Sequence, residues 1–533
     1  MPGTDELTAD AVVIGTGPNG LVAANLLADA GWDVVALEAA ATPGGAVRSG
    51  ELTAPGFVND LCSSFYPLAG DPAPLHRLGL TDYGLRWRHA PAVLAHLAPD
   101  LPPTVLHRDL AATAASVERH AAGDGQRWRD LYGQWRQVGG PLLAALFTPF
   151  PPIRPGARML RRLGPGEALR LARRMVLSAA QLGQEAFRGE GAQLLIAGCA
   201  LHTDLGPADA ASGGYGWLLA MLGQQNGFPV PQGGAQRLTD ALVTRLAGRG
   251  GRVTCGAPVD RVVVAHGRAL GAGTRDGRWY RARRAVLADV AAPALYLDLV
   301  GAQHLPGRLV DDLHRMRYDY ATVKVDWALS RPVPWRDPEV AGAGTVHLGM
   351  DLAGMAHHAA SLQAGEVPAE LFLICGQLST ADPTRSPAGT ETFWAYTHLP
   401  QRDTWPAGAV AEVADRMAAQ LERYAPGFAD AVLARHVAGP QELERENPNL
   451  VGGSLIGGTS AVSQQAFLRP VPGLGRADTA IDRLYLASAA AHPGGGVHGG
   501  PGANAARAAL ARDRWGSLYA GPVRGAQRLI YGR

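Results

Sequence analysis

Residues 10–48 read DAVVIGTGPNGLVAANLLADAGWDVVALEAAATPGGAVR, and this stretch decides the fold of the 533-residue chain. Four apolar residues, Ala11, Val12, Val13 and Ile14, lead into Gly15, Gly17 and Gly20. A second apolar run, 34–37, ends in Glu38, and a glycine pair follows at Gly44 and Gly45. The pattern is strand, tight turn, helix, strand and acid, the βαβ unit that holds a dinucleotide. Gly15 permits the sharp turn, and Gly17 lacks a Cβ that would hold a pyrophosphate off the backbone. Gly20 lets the helix, which Pro18 and Asn19 open, lie close on the sheet with its free N–H groups facing the phosphates. With 68 glycines in the chain, chance matches to this spacing are expected. What carries the reading is the context: a strand before, a helix after, and an acid at the end of the second strand.

Glu38 would take the ribose hydroxyls, and its carboxylate would repel a 2′-phosphate. FAD or NAD is therefore expected rather than NADP. Gly44 and Gly45 turn the choice towards FAD, because a glycine pair just past the second strand can line the diphosphate from its other side.

A chain of this length predicts two or more domains with a substantial core. Hydrophobic residues make up 47% and charged ones 18%, which is a globular balance. The net charge of +2 gives no large basic field, so nucleic-acid binding is not expected. Four cysteines, Cys62, Cys199, Cys255 and Cys375, lie far apart without a CxxC. They fit neither a metal site nor a disulfide framework, and a cytoplasmic chain with buried thiols is the plain expectation. The start, residues 1–10, is polar and acidic, unlike a signal peptide. No apolar stretch reaches membrane-spanning length.

Residues 54–68 read as a loop crossing between domains, and short strands are expected at 92–97 and 104–106. A mostly helical region follows over 109–223, with breaks at Pro141, at Pro149, Pro151 and Pro152, and at Pro207. Within it, residues 154–176 carry seven arginines among leucines and methionines. Such a basic amphipathic segment reads either as peripheral membrane contact or as a solvated helix face. From Pro231 the pattern changes: a helix over 235–247, then β-runs at 252–255, 259–265, 269–273 and 283–288 with hairpin spacing. Strands at 320–329, 371–375 and 392–398 and helices at 351–362 and 410–424 predict a second, mixed domain. The division is 1–75, 226–318 and 476–533 for the nucleotide domain, and 76–225 and 319–475 for the substrate domain.

The second strong motif closes the chain. A short strand at 484–486 precedes HPGGGVHGGPG, residues 492–502, and a helix over 503–515. Backbone so free of side chains can approach a flat ligand closely. Pro501 sits where a helix starts, so the amides that follow would point at the electron-rich edge of a reduced flavin ring.

GTGPNG with Glu38, PGG at 43–45, PQGG at 231–234 and LYLASAAAHPGGGVHGGPG at 484–502 together resemble the phytoene desaturase and carotenoid oxidoreductase branch of the FAD-dependent amine oxidase superfamily. Within that branch the chain is similar to the pyridine nucleotide-disulfide oxidoreductase domain-containing protein 2 group. The resemblance implies an α/β fold in which a Rossmann-type FAD-binding domain is interrupted by a mixed α+β substrate domain with a helical insertion. It implies that Glu38 binds the adenosine ribose and that Val259 meets the adenine side through its backbone. Gly496, Val497, Gly500 and Gly502 would line the flavin. One departure is Ala46, where many relatives have an arginine; Arg48 stands in as the candidate for the FAD phosphates.

Flavin oxidation needs few acid–base residues, because the cofactor carries the redox step. Lys324, the only lysine, is one candidate. Alternation over 321–327 puts it on one strand face with Thr322 and Asp326. It resembles the amine-oxidase lysine that holds a water near flavin N5; the other reading is a solvent-facing lysine paired with Asp326 or Asp319. His498 and His492 flank the glycine loop, either as hydrogen-bond donors to flavin or substrate or as caps of the turn. His202, Tyr215 and Trp217 are candidates for a substrate pocket, with core packing as their other reading. The expected function is dehydrogenation of a lipophilic substrate by non-covalent FAD, with oxygen or a quinone as acceptor. Flavin amine oxidation, reduced-flavin isomerisation and non-enzymatic lipid or prenyl binding are the alternatives; the sequence does not specify the oligomeric state.

Overall fold

The computed structural model describes residues 6–532; most of the polar start, residues 1–5, lies outside them. β1 (Glu6–Ile14), α1 (Pro18–Asp29) and β2 (Val34–Leu37) form the expected unit, with β1 and β2 parallel and Ala11 opposite Val34. Every residue of β2 is buried, as befits a strand covered on both faces. Beside β1 on its other edge runs the strand Trp279–Ala288, also parallel, and Leu484–Leu486 continues the sheet from the end of that strand. The strands Val259–Ala265, Arg268–Thr274 and the start of Trp279–Ala288 pair antiparallel. Arg252–Thr254 closes the far edge against β2. Segments more than 440 residues apart in the chain thus build one seven-stranded sheet.

A second seven-stranded sheet runs in the order Val432–Ala438, Ala321–Leu329, Glu391–Leu399, Leu373–Gln377, Ala343–Leu348, Ala92–Leu97, Thr104–Leu106. Its Val323, Val325 and Trp327 face packs with Val413, Met417 and Leu421 of the helix Ala409–Tyr424. Its opposite face meets the helical layer of Glu190–Ala200 and Ser212–Asn226, where the apolar residues of helices and strands join in one core.

Several expectations are corrected. Pro141 does not break its segment: the helix Asp124–Leu146 runs through it, held by Trp128, Leu131, Trp135 and Val138, all buried on one side. The basic segment is a helix, Ile153–Val176, but Gly164 at φ 74° divides it in two. The strands Ala343–Leu348 and Val432–Ala438 and the final helix Ser517–Tyr531 were not anticipated. Two cysteines, Cys62 and Cys255, are only half-buried, while Cys199 and Cys375 are buried; all four are free thiols. Among the described residues, no helix is long and apolar enough to cross a membrane.

Candidate functional site

The glycine loop between β1 and α1 is built from backbone contacts that leave no room for side chains. A Cβ on Gly20 would lie 2.2 Å from the Gly15 carbonyl oxygen. Gly15 itself holds φ 86°, where a β-carbon is strained. The second glycine pair docks on this loop: the Gly44 N–H donates to Thr16 O (3.1 Å), and a Cβ on Gly45 would come 3.1 Å from Gly17 Cα. Both halves of the expected diphosphate cradle are therefore in contact.

Glu38 stands at the end of β2 as expected. Its Oε2 accepts from the Thr16 N–H (3.0 Å) and the Thr16 hydroxyl (2.6 Å), and its Oε1 accepts from the Ala40 N–H (3.0 Å). The carboxylate is fixed, with lone pairs to spare for ribose hydroxyls. Arg48 folds back on the cradle, donating from Nε to Gly45 O (2.9 Å) and from Nη2 to Glu446 O (2.8 Å). Val259 is a half-buried residue at the start of its strand; the backbone links to the end of β2 come instead from Gly256 and Ala257, which donate to Ala40 O and Glu38 O.

Asp289 was missed. It follows the strand Trp279–Ala288, and its Oδ2 accepts the Gly20 N–H at 2.8 Å. A Cβ on Gly17 would lie 2.7 Å from that oxygen. The space the second glycine keeps open is thus filled by the chain's own carboxyl, at the N-terminus of α1. Burial pushes this acid up to about 7, against the Gly20 hydrogen bond; the nearby Glu38 charge adds to the rise. Nothing local in the sequence signals it, because 269 residues separate the partners.

The closing loop behaves differently from its reading at two positions. Pro493 to Val497 line a cavity of about 310 Å³, but Gly500 and Gly502 do not. Gly502 is a helix-packing residue: a Cβ there would sit 1.9 Å from the Asn19 carbonyl oxygen, where the helix Gly500–Trp515 crosses α1. His498 is buried among the loop's own atoms, its Nδ1 accepting from the Gly500 N–H (2.9 Å) and its Nε2 donating to Gly495 O (3.1 Å). Both ring nitrogens are spent, so His498 holds the turn rather than acting on a ligand. His492 donates to Thr148 O at 3.2 Å in the same manner.

The cavity extends from Ala46 and Cys62, beside the glycine pair, to His202 in the helical layer. A smaller cavity of about 110 Å³ shares Ala46 and Cys62 and reaches Gly45 and Arg48. Its large neighbour is walled by Phe65, Leu218, Leu219, Phe228, Trp394 and Tyr396. Three buried polar atoms on its walls have no hydrogen-bond partner: Ser64 Oγ, Thr345 Oγ1 and Trp394 Nε1. The glycine cradle, which has no room for further β-carbons, the fixed Glu38 and the cavity beside Gly496 fit a flavin dinucleotide laid from Glu38 through Gly45 to Gly496.

Tyr215 and His202 line this cavity. Trp217 does not; it lies in the core, edge-on to Trp135 at 5.4 Å, with the Arg174 guanidinium over its ring. Lys324 is not solvent-facing but buried, donating to both oxygens of Asp326 and to Asp60 O (3.0 Å). With Arg385 2.7 Å from Asp60, two cations and two carboxylates form a buried group that is neutral overall. Asp319 does not pair with Lys324; it accepts from Ser454 Oγ and from the N–H groups of Leu455, Ile456 and Gly458, clamping the loop that supplies Leu455 and Ile456 to the cavity. Cys62, which lines the cavity, is pushed up to about 11 by desolvation, against the nearby Lys324 charge, and stays a thiol.

Comparison with known proteins agrees with this arrangement. The NAD(P)-binding Rossmann-like domain matches residues 13–77. Pyridine nucleotide-disulfide oxidoreductase domain-containing protein 2 of Mus musculus is 28% identical over 93% of this chain and 92% of its own. One of the limonene dehydrogenase subunits of Castellaniella defragrans is 24% identical over 93% and 94%. The neurosporene-forming phytoene desaturase of Rhodobacter capsulatus is 26% identical over about half of each chain, 52% and 53%. Among solved structures, an oxidoreductase from Methanosarcina mazei superposes with a TM-score of 0.62 over 95% of this chain and all of that one, at 15% identity. Putrescine oxidase bound to putrescine superposes at 0.58 over 96% and 100%, also at 15%. Fold, cradle and relatives fit the FAD-dependent oxidoreductase superfamily of amine oxidases and desaturases. Within it, the chain is a homologue of the pyridine nucleotide-disulfide oxidoreductase domain-containing protein 2 and phytoene desaturase proteins.

Proposed function

We propose that the chain binds FAD without a covalent link and removes hydrogen from a neutral, lipophilic substrate, forming a double bond, with oxygen or a quinone as final acceptor. The observation that carries this reading is the cavity between the closing glycine loop and the helical layer. Its walls are largely apolar and aromatic, and among the described residues that line it there is no carboxylate and one charged side chain, Arg469. That guanidinium is buried and donates only to the carbonyls of Ile456, Gly458, Thr459 and Ala489. A positive charge bonded to no carboxylate, beside an apolar chamber, disfavours a protonated amine and leaves a neutral substrate welcome.

When bound, FAD would supply the hydride acceptor. The protein's part is to hold it and to keep the chamber dry. Gly15, Gly17, Gly20, Gly44 and Gly45 would approach the diphosphate, Glu38 the ribose, and the Pro493 to Val497 backbone the ring system. Phe65, Leu218, Leu219 and Phe228 would exclude water and set the substrate against the ring. The names of the limonene dehydrogenase and phytoene desaturase relatives, both of which concern neutral, lipophilic molecules, support the substrate class.

Amine oxidation is the second reading, favoured by the stacked Trp394 and Tyr396 rings (5.9 Å, 17°) on the cavity wall. Anaerobic bleaching separates the two. Reduction of the bound flavin by a neutral, lipophilic terpenoid or carotenoid, with none by putrescine or cyclohexylamine, is the expected result; bleaching by the amines alone would overturn it.

A further inference from the structure

Three neutral imidazoles run from the cavity wall into the second sheet. His202 follows the helix Glu190–Ala200 and lines the cavity. Its Nε2 lies 2.7 Å from Nε2 of His347, in the strand Ala343–Leu348. His347 is in register with His96 on the parallel strand Ala92–Leu97, and the two rings meet edge to face at 5.7 Å. His96 Nε2 lies 3.0 Å from Met350 O. Burial pushes His96 down to about 4, His202 to about 3 and His347 well below its ordinary range, so each carries one N–H at neutral pH. Among the described residues no group of three such side chains is placed to hold a metal ion.

The proton order along the row of imidazoles follows from its inner end. A carbonyl only accepts, so the His96 proton is on Nε2 and its Nδ1 is bare. Nδ1 of His96 and Nδ1 of His347 both turn to Gly198: a Cβ there would lie 3.0 Å from the first and 2.3 Å from the second. Neither has a hydrogen-bond partner, and both are buried. Two lone pairs facing one small apolar space repel, whereas an N–H opposite a lone pair attracts. His347 therefore carries its proton on Nδ1 and is bare at Nε2. That Nε2 accepts from His202 Nε2–H, which leaves a lone pair on Nδ1 of His202, the one ring nitrogen this cavity-lining residue does not spend on His347.

We infer that His202 Nδ1 is a hydrogen-bond acceptor for the substrate, fixed in that form by the positioning residues His347 and His96, and that the substrate is a lipophilic molecule bearing a hydroxyl group. The inference rests on the cavity being the substrate site, and it narrows the class from any lipophile to a lipophilic alcohol. A hydroxyl finds its acceptor there, while an ether of the same size leaves the imidazole unpaired.

Two measurements test it. In protein labelled with nitrogen-15 at histidine, long-range proton–nitrogen correlation spectra, assigned with His202→Gln and His347→Phe, report which nitrogen carries each proton. The expected result is His202 protonated at Nε2 alone and not titrating between pH 5.5 and 8.5, with a mixture of tautomers once His347→Phe removes its partner. A His202 proton on Nδ1 in the wild type, or no change in His347→Phe, would overturn the ordering. This measurement needs no flavin, so it stands or falls apart from the FAD reading. The second compares 1-hexanol with its isomer methyl pentyl ether, followed by tryptophan fluorescence and by the absorbance of bound flavin. Hexanol is expected to bind about tenfold tighter to the wild type, from one net hydrogen bond, and equally with the ether to His202→Leu. Equal binding to the wild type, or a preference that survives in His202→Leu, would overturn the acceptor role.

Discussion

Replacing Asp289 by asparagine should stabilise this protein at neutral pH while leaving it unchanged in acid. The carboxyl is 5% exposed and holds the Gly20 N–H at the start of α1. The charged group facing it is Glu38, at the end of β2, and the Asn449 side chain donates to its main-chain carbonyl. Its folded-state pKa is raised from 3.8 to about 7. Between those values the folded chain holds a proton that the unfolded chain has lost, so stability falls as pH rises through that window and is flat above it. A rise of that size corresponds to roughly 4 kcal/mol in all, of which about 2 kcal/mol lies between pH 5.5 and 7. Asparagine keeps an oxygen for the Gly20 N–H and carries no charge, so Asp289→Asn should remove that slope. The same charge would face the FAD diphosphate across Gly17 and Gly20, so apoprotein affinity for FAD should weaken above pH 7 in the wild type but not in the variant. Urea unfolding and flavin-fluorescence titrations at pH 5.5, 7 and 8.5 read both effects. Parallel pH profiles for the two proteins would refute the reasoning.

Gly502→Ala should cost about 1–3 kcal/mol and lower flavin occupancy, because a new Cβ meets the Asn19 carbonyl oxygen and forces α1 away from the closing helix. Gly248→Ala, with open space around it, should stay within about 0.5 kcal/mol of wild type; equal urea midpoints for all three proteins would refute the packing account. Lys324→Met leaves the Asp326 carboxylate buried and unpaired and should destabilise by about 3–5 kcal/mol, while adding Asp326→Leu should restore most of the loss. If oxidative and reductive half-reactions of the double variant match wild type, the lysine has no part in flavin chemistry. The helix Ile153–Val176 exposes Ile153, Leu160, Leu169 and Val176, and its first acid is Glu167, after four arginines. It should carry the protein onto phosphatidylserine vesicles, with each arginine contributing about 1 kcal/mol. Sedimentation should find salt-sensitive binding that is lost in the triple variant Arg158→Glu, Arg161→Glu, Arg162→Glu; no binding by the wild type would sink the idea.

What the sequence made legible was local. The βαβ unit could be read at its ends because glycines, an acid and two apolar runs fall within 39 residues, and the strand Leu484–Leu486 because turn residues bracket it. Ala343–Leu348 escaped because it lies inside the second sheet with all six residues buried, so the alternation that marks a half-exposed strand is absent. The Val432–Ala438 strand escaped for a different reason, being a mostly half-buried edge with two charged or titratable side chains, Arg435 and His436. At the site, Glu38 and the glycines were readable, whereas Asp289, His347 and His96 were not. Each of those three acquires its role from a partner more than a hundred residues away, and residue type alone does not distinguish them from ordinary polar residues. Lys324 shows the reverse limit: its resemblance to the amine-oxidase lysine singled it out, while its surroundings make it half of a buried ion pair.

The central claim is that the glycine cradle holds FAD. An absorption spectrum of the purified protein, taken before and after heat denaturation with the released cofactor identified by mass, tests it most directly. The account predicts a flavin spectrum and release of intact FAD, leaving no flavin attached to the polypeptide. A colourless protein that cannot be reconstituted with FAD would contradict it.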